Sequence, residues 1–291
     1  MRLLAVEASG THGGIALMED GRLLEEVRLA EGLRHARDLL VAIRDACERA
    51  PWDRRTIDLV ALSIGPGSFT GVRIAVTLAK FVAWDTGARV VAVPTLRALA
   101  ENAPADCGRI VPILDAKRGG LFASIFERCS DVRARRGAAH ACGEGGMPTP
   151  LLRGHVPGMG DSMPSERRAG HATHDDQGSP QDLGTPARRG SGGGLSNLDE
   201  VFGPALIEPE ALARRLEKPA FILGPGIVKG RAALAAFDLA PEDLWDVRPS
   251  VVARLGWELH AHGRYADPLR LEPIYIRPPE AQEIWERKHG K

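Results

Sequence analysis

Apolar and polar positions follow two rhythms over the first hundred residues. Residues 2–8 and 57–64 read as buried strands, and 13–19 and 22–29 as two more strands separated by Asp20-Gly21. Both central residues of an Asp-Gly turn tolerate positive φ, so the dipeptide predicts a hairpin. Residues 2–29 thus form a three-stranded antiparallel meander. The spacing then lengthens. Leu39, Leu40, Ile43, Ala46 and Cys47 recur at helical intervals, predicting a helix over 34–49 that Pro51 ends. A second helix is expected over 72–85, closed by Gly87. Its only polar stripe is Arg73, Thr77 and Lys80. A helix so apolar has to be covered on nearly every side. A strand at 89–93 and a short helix at 96–102 complete the order β-β-β-α-β-α-β-α.

The second half is less regular. Strands are expected at 110–115 and 121–127, joined across Lys117-Arg-Gly-Gly120. The pattern then stops. Residues 129–198 contain no Phe, Trp or Tyr and hold 14 Gly and 6 Pro in 70 residues. That composition cannot offset its ordering entropy by burying apolar surface, so the segment reads as a disordered insertion. Order resumes near Val201, with a helix over 209–217 opened by proline. A strand at 220–223 and a Gly224-Pro-Gly226 turn follow. Ser250 is expected to cap a helix that runs to 262, and 271–277 is an extended tail. Strands alternating with helices predict an α/β fold with mixed sheets and helices on their faces. The chain divides into a first lobe at 1–104 and a second lobe at 105–128 and 199–265. The insertion occupies 129–198 and the tail 266–291. No repeat of solenoid period is present.

Composition narrows the function. The 291 residues carry 38 Lys plus Arg against 38 Asp plus Glu, so no net charge draws the chain onto nucleic acid or an anionic membrane. The four cysteines (Cys47, Cys107, Cys129, Cys142) form no C-x-x-C pair and suit reduced thiols in a cytoplasmic protein. The opening apolar run is too short for a signal peptide, and nothing approaches the roughly 20 apolar residues of a membrane span.

The densest motif is Gly-Pro-Gly-Ser-Phe-Thr-Gly-Val-Arg at 65–73, lying between a strand and a helix. Such a turn can present helix N–H groups to an anion. It can equally be a tight turn that binds nothing, and it lacks the Gly-Lys-Ser/Thr of a Walker A loop. No His-x-x-x-His pair exists. His260 and His262 fall on different faces of their helix, and His171 and His174 lie in the insertion with His140, His155 and Cys142. Ser68 lacks the G-x-S-x-G context of a hydrolase nucleophile.

These residues resemble the TsaB (YeaZ) family of the actin-like superfamily. The run at 65–73 is similar to its signature. Leu4-Ala-Val-Glu-Ala-Ser9, Val93-Pro-Thr-Leu-Arg-Ala-Leu-Ala100, Asp115-Ala-Lys-Arg-Gly-Gly-Leu-Phe122 and Glu272-Pro-Ile-Tyr-Ile-Arg277 resemble further segments in the same order. The resemblance covers about 1–127 and 200–291. It implies a two-lobed actin-like (ribonuclease H-like) fold and a non-catalytic subunit of the complex that makes threonylcarbamoyladenosine beside the tRNA anticodon. The implied partners are a TsaD-type transferase, a TsaE-type ATPase and, through them, tRNA. Self-association of the isolated chain is a further alternative. The resemblance also implies that the first two helices form the partner seam. His35, Leu39, Ile43, Ala75, Leu78, Ala79 and Val82 are its expected members.

Actin-like ATPases use loops at equivalent places to hold phosphate and Mg²⁺. The counterparts here are Glu7, Ser9, Gly10 and Thr11, with Gly65, Gly67, Ser68, Gly224 and Gly226. Glu7 stands where the family has Asp, and one extra methylene disturbs a strict octahedral Mg²⁺ site. The expectation is a degenerate site, with ATP and metal on the partner subunits. The competing reading is an ATP-dependent phosphotransferase or ATPase.

Overall fold

The computed structural model describes residues 1–30, 35–128, 197–277 and 285. The expectation of a disordered insertion falls outside them except at Asn197 and Leu198. The first half contains β1 (Arg2–Glu7), β2 (Gly14–Glu19), β3 (Arg22–Arg28), α1 (His35–Arg49), β4 (Leu59–Ser63), α2 (Phe69–Thr86), β5 (Arg89–Val93) and α3 (Thr95–Ala100). The second half contains β6 (Arg109–Asp115), β7 (Leu121–Arg128), β8 (Leu198–Ile207), α4 (Pro209–Arg215), β9 (Phe221–Leu223), α5 (Ile227–Leu234), β10 (Asp238–Leu239) and α6 (Pro249–Ala261).

The two halves repeat one another. The first sheet has the order β3-β2-β1-β4-β5 and the second β8-β7-β6-β9-β10, read in the matching direction. In both, the first three strands are antiparallel and the fourth and fifth add in parallel. Each half is therefore a hairpin meander extended by two crossover units.

The period of two along β1 and β2 separates two cores. Leu4, Val6, Ile15 and Leu17 face one side, where Leu39, Ala42, Ile43, Ala46 and Cys47 of α1 and Val72, Ala75, Val76, Ala79 and Ala83 of α2 cover them. Leu3, Ala5, Ala16 and Met18 face the other side and join a core that also holds Val252, Ala253 and Leu255 of α6 and much of the second sheet. Helix α6 belongs to the second half by sequence but packs across the first sheet, while α3 of the first half packs on β6 and β7. The third helix of each half thus covers the sheet of the other.

Several boundaries differ from the sequence reading, each for a local reason. Helix α2 starts at Phe69, because the Ser68 side chain accepts from the Gly71 N–H and caps it there. Ser250 is not a cap: α6 opens with Pro249, and the Ser250 N–H and hydroxyl both donate to Glu26 Oε1 at 2.9 and 2.8 Å. Strand β8 begins at Leu198, inside the stretch assigned to the insertion, and is a mostly exposed edge strand with little apolar alternation.

Helix α6 crosses its sheet closely because of Gly256. A Cβ there would lie 2.4 Å from the Ala61 Cβ. Helix propensity alone favours Ala over Gly by ~1 kcal/mol. We expect the reverse sign: Gly256→Ala should lower the urea unfolding free energy by roughly 2 kcal/mol, as overpacking does, read as a shift in midpoint at constant slope.

Candidate functional site

The glycine loop between β4 and α2 is a joint of backbone against backbone. Gly65 adopts φ 98°, and its N–H donates to Thr95 Oγ1 at 3.1 Å while its carbonyl accepts from Thr95 N–H at 3.0 Å. Gly67 lies against Ser9, where a Cβ would come within 2.4 Å of the Ser9 carbonyl oxygen. At Gly71 a Cβ would stand 1.8 Å from the Ala8 carbonyl oxygen. Only hydrogen fits at either position. The N–H groups of Ser68, Gly71 and Val72 donate to Ser9 O, Ser68 Oγ and Ser68 O. The Ser68 and Gly71 N–H groups at the start of the helix are therefore used inside the chain, while Val72 makes the first ordinary helix bond.

The second half repeats the device. Gly224-Pro225-Gly226 follows β9 and precedes α5, as Gly65-Pro66-Gly67 follows β4 and precedes α2. A Cβ on Gly224 would lie 2.3 Å from the Ile113 carbonyl oxygen of β6, and Gly226 N–H donates to that same oxygen at 3.3 Å. The loop after β1 is held from outside its own hairpin. His12 Nδ1 lies 2.8 Å from Asp246 Oδ2, which also accepts from Arg28 at 3.3 Å. Gly10 is part-buried beside it, and Thr11 is exposed.

Glu7 is completely buried. Its Oε1 accepts from the Ser9 N–H at 2.6 Å and the Ser9 hydroxyl at 2.5 Å, while Oε2 and the neighbouring Ser63 Oγ form no hydrogen bond of good geometry. Burial raises the Glu7 carboxyl above its usual range, opposed by the Ser63 and Ser9 side chains and by the Ser9 and Gly10 backbone. The parallel register pairs Val6 with Leu62, placing Glu7 beside Ser63. One proton on Oε2, shared with Ser63 Oγ, would satisfy both orphaned oxygens. A fully enclosed carboxyl of this kind does not fit a Mg²⁺-nucleotide, which needs accessible carboxylate oxygens. Among the described residues no group of three or more His, Cys, Asp or Glu could hold a metal ion. The matching acid of the second half, Asp115, behaves differently. Burial would raise it, but Lys229 Nζ at 2.7 Å and the Lys117 N–H at 2.6 Å help to hold it below the usual range.

The expected seam residues divide into two groups. Leu39, Ala75 and Ala79 have no exposed surface and Ile43 is buried, all within the core between α1, α2 and the sheet. Leu78 and Val82 are half-buried at its edge. This corrects the expectation that Leu39, Ile43, Ala75 and Ala79 meet a partner, because the sheet already covers them. His35 opens α1, but its side chain lies outside the described residues.

The outward apolar surface is carried by other residues: Leu40 (59% exposed) and Val41 on α1, and Phe81 (59%) and Trp84 (82%) on α2. Phe81 and Trp84 rings lie 6.2 Å apart. Further along α2, the Arg73 guanidinium sits 3.8 Å from the Phe69 ring centre and donates to the Tyr275 hydroxyl at 2.7 Å. The sequence contained a usable signal for this division. Small alanines at 75, 79 and 83 suit the side that touches the sheet, while Phe81 and Trp84 are too large to share it.

Two matching sheets, each covered by the third helix of the other half, define a two-lobed actin-like α/β fold. Among solved structures this is the fold of YeaZ from Pseudomonas aeruginosa, which superposes with a TM-score of 0.63 over 94% of this chain and 99% of that one, at 19% identity. In sequence, the chain is homologous to the tRNA threonylcarbamoyladenosine biosynthesis protein TsaB of Bacillus subtilis, 35% identical over 130 residues that make up 44% of this chain and 56% of the relative. TsaB of Escherichia coli is 28% identical over the same length. The matched stretch therefore spans little more than half the length of these relatives. The family model for TsaD, tRNA N6-adenosine threonylcarbamoyltransferase, matches residues 30–140. Among the described residues no helix is long and apolar enough to cross a membrane.

A carboxyl whose folded value is raised contributes most at low pH, and that contribution is lost as pH rises through the folded value. The Glu7→Gln variant, which mimics the protonated acid, should match the parent in acid and become progressively more stable than it as pH rises through the folded value. Thermal unfolding across pH 4 to pH 9 reads this. Equal stability of the two proteins at every pH would mean that the Glu7 carboxyl is not raised in the fold.

Proposed function

We propose that the chain is a non-catalytic subunit in the synthesis of threonylcarbamoyladenosine in tRNA, and that it binds a TsaD-type transferase through the outer faces of α1 and α2. One observation carries the reading. Leu40, Val41, Phe81 and Trp84 stand exposed on two helices that pack side by side on one sheet face. Both helices lie within the stretch similar to TsaD-type proteins. Large aromatic side chains with their flanks in water are the usual anchors of a protein interface. A homologous partner of the same fold would present two equivalent helices, and the four would pack as a bundle. A TsaE-type ATPase and tRNA would then join the pair, with ATP and metal held by the other subunits.

On this reading the chain acts by differential binding, favouring the competent conformation of the transferase without touching the reacting atoms. The rival, an ATPase of the same superfamily, is disfavoured by the enclosed Glu7 and by glycines that meet backbone. Calorimetric titration with Mg-ATP separates the two: micromolar binding that Glu7→Ala abolishes would support the rival.

The interface reading predicts opposite results for two charge insertions on the same helix. Trp84→Glu should leave the unfolding free energy within about 0.5 kcal/mol of the parent, yet weaken association with a TsaD-type subunit at least 30-fold, as loss of an aromatic anchor does. Ala79→Glu should instead prevent stable folding, since it places an unpaired charge in the core at a cost of several kcal/mol. Sedimentation of the mixed subunits reads the first and circular dichroism the second. Unchanged association of Trp84→Glu would remove the proposed face.

A further inference from the structure

The segment after α6 runs along the first lobe and reaches the second at Arg277. Ala266 N–H donates to Val90 O at 2.8 Å beside β5, and Leu271 is buried in the core under α2. Ile274 N–H donates to Ile64 O at 2.8 Å, and its carbonyl lies 3.0 Å from where a Cβ on Gly65 would stand. Tyr275 packs on Phe69 with ring centres 5.3 Å apart and accepts from Arg73 Nε. Two residues later, Arg277 Nη1 donates to the carbonyls of Ala116 and Lys117 at 2.5 and 3.3 Å.

Those two carbonyls belong to a strained turn. Lys117 and Arg118 adopt φ 61° and 49°, left-handed values that disfavour residues with a Cβ, before Gly119 at 84°. The turn is closed by Gly120 N–H to Lys117 O at 3.1 Å and Ala116 N–H to Gly120 O at 3.0 Å. A guanidinium that bonds the carbonyls at its start opposes relaxation of the backbone there. The same short segment is fastened to the glycine loop and to the N-terminus of α2 at its other end.

We propose that residues 271–277 are a clasp that couples the N-terminus of α2 in the first lobe to the turn at 116–120 in the second. A change at Phe69, Arg73 and Tyr275 is then felt at Ala116 and Lys117, and the reverse. The inference stands on the tail contacts alone and does not depend on which partner the chain binds.

Hydrogen–deuterium exchange on the full chain tests the coupling by reading the end opposite to each substitution. Tyr275→Ala should speed exchange of the Ala116, Lys117 and Gly120 amides about tenfold, and Arg277→Ala should speed exchange of the Ile274 amide by a similar factor. The strands β1 and β6 should keep their protection. Tyr275→Phe, which keeps the ring and loses only the bond from Arg73, should give a smaller change of the same kind. Exchange that changes only at the substituted end would overturn the proposal. So would a uniform rise that includes β1 and β6, since the tail would then be a general stabiliser and not a coupling element.

Discussion

The close approach of the glycine loop to the end of β1 is the constraint on which the first lobe depends. Ala8 and Ser9 offer their carbonyl oxygens where the chain turns into α2, and Gly67 and Gly71 are the positions that receive them. This contact fixes where α2 begins, because Ser68 can cap the helix only while its own N–H is held by Ser9 O at 2.7 Å. The position of α2 in turn sets which of its residues touch the sheet. Inward alanines allow the helix to lie close, and the large side chains at 81 and 84 are turned to water as a geometric consequence. The outer apolar face is thus tied to the glycine joint by the rotation of one helix.

The same joint appears in the second half, where Gly224 and Gly226 pack on Ile113. Recurrence of the device at the same place in both halves argues for a structural requirement of the topology. A parallel strand that feeds a helix packed back over its neighbour must turn sharply at its end, and the neighbour's carbonyls are what it meets. Phosphate binding is a use that such a turn can be given, not the reason that it exists. Here the N–H groups of Ser68 and Gly71 and the Oε1 atom of Glu7 are engaged by the chain itself.

The regular first half was legible in the sequence because its signals are local. The Asp20-Gly21 turn, the buried run at β4 and the helical period of α1 each depend on a few neighbouring residues, and the structure has them all. The second half was less legible because its elements are short or one-sided. Strand β10 has two residues, α5 carries Gly230, and β8 is an edge strand with Gly203 and Pro204 inside it. The internal duplication was legible only in the Gly-Pro-Gly runs at 65–67 and 224–226, since the rest of it lives in strand order. At the candidate site, periodicity marked α2 as a helix that needs cover on several sides but not which residues take which side. Leu39, Ile43, Ala75 and Ala79 were assigned to a partner and are covered by the sheet.

The exchange of third helices between halves explains why the outer sides of α1 and α2 are left without a covering role. A sheet with two open faces needs both covered, and in the first lobe α6 arrives from the far end of the chain to cover one of them. Helices α1 and α2 are then needed only on their inner sides. Their outer sides have no duty within the fold, so selection can place Leu40, Val41, Phe81 and Trp84 there at little cost to stability. Exposed aromatic surface gives solubility no advantage. Its concentration on two adjacent helices, opposite a packed inner face, is the physical basis of the interface proposed above.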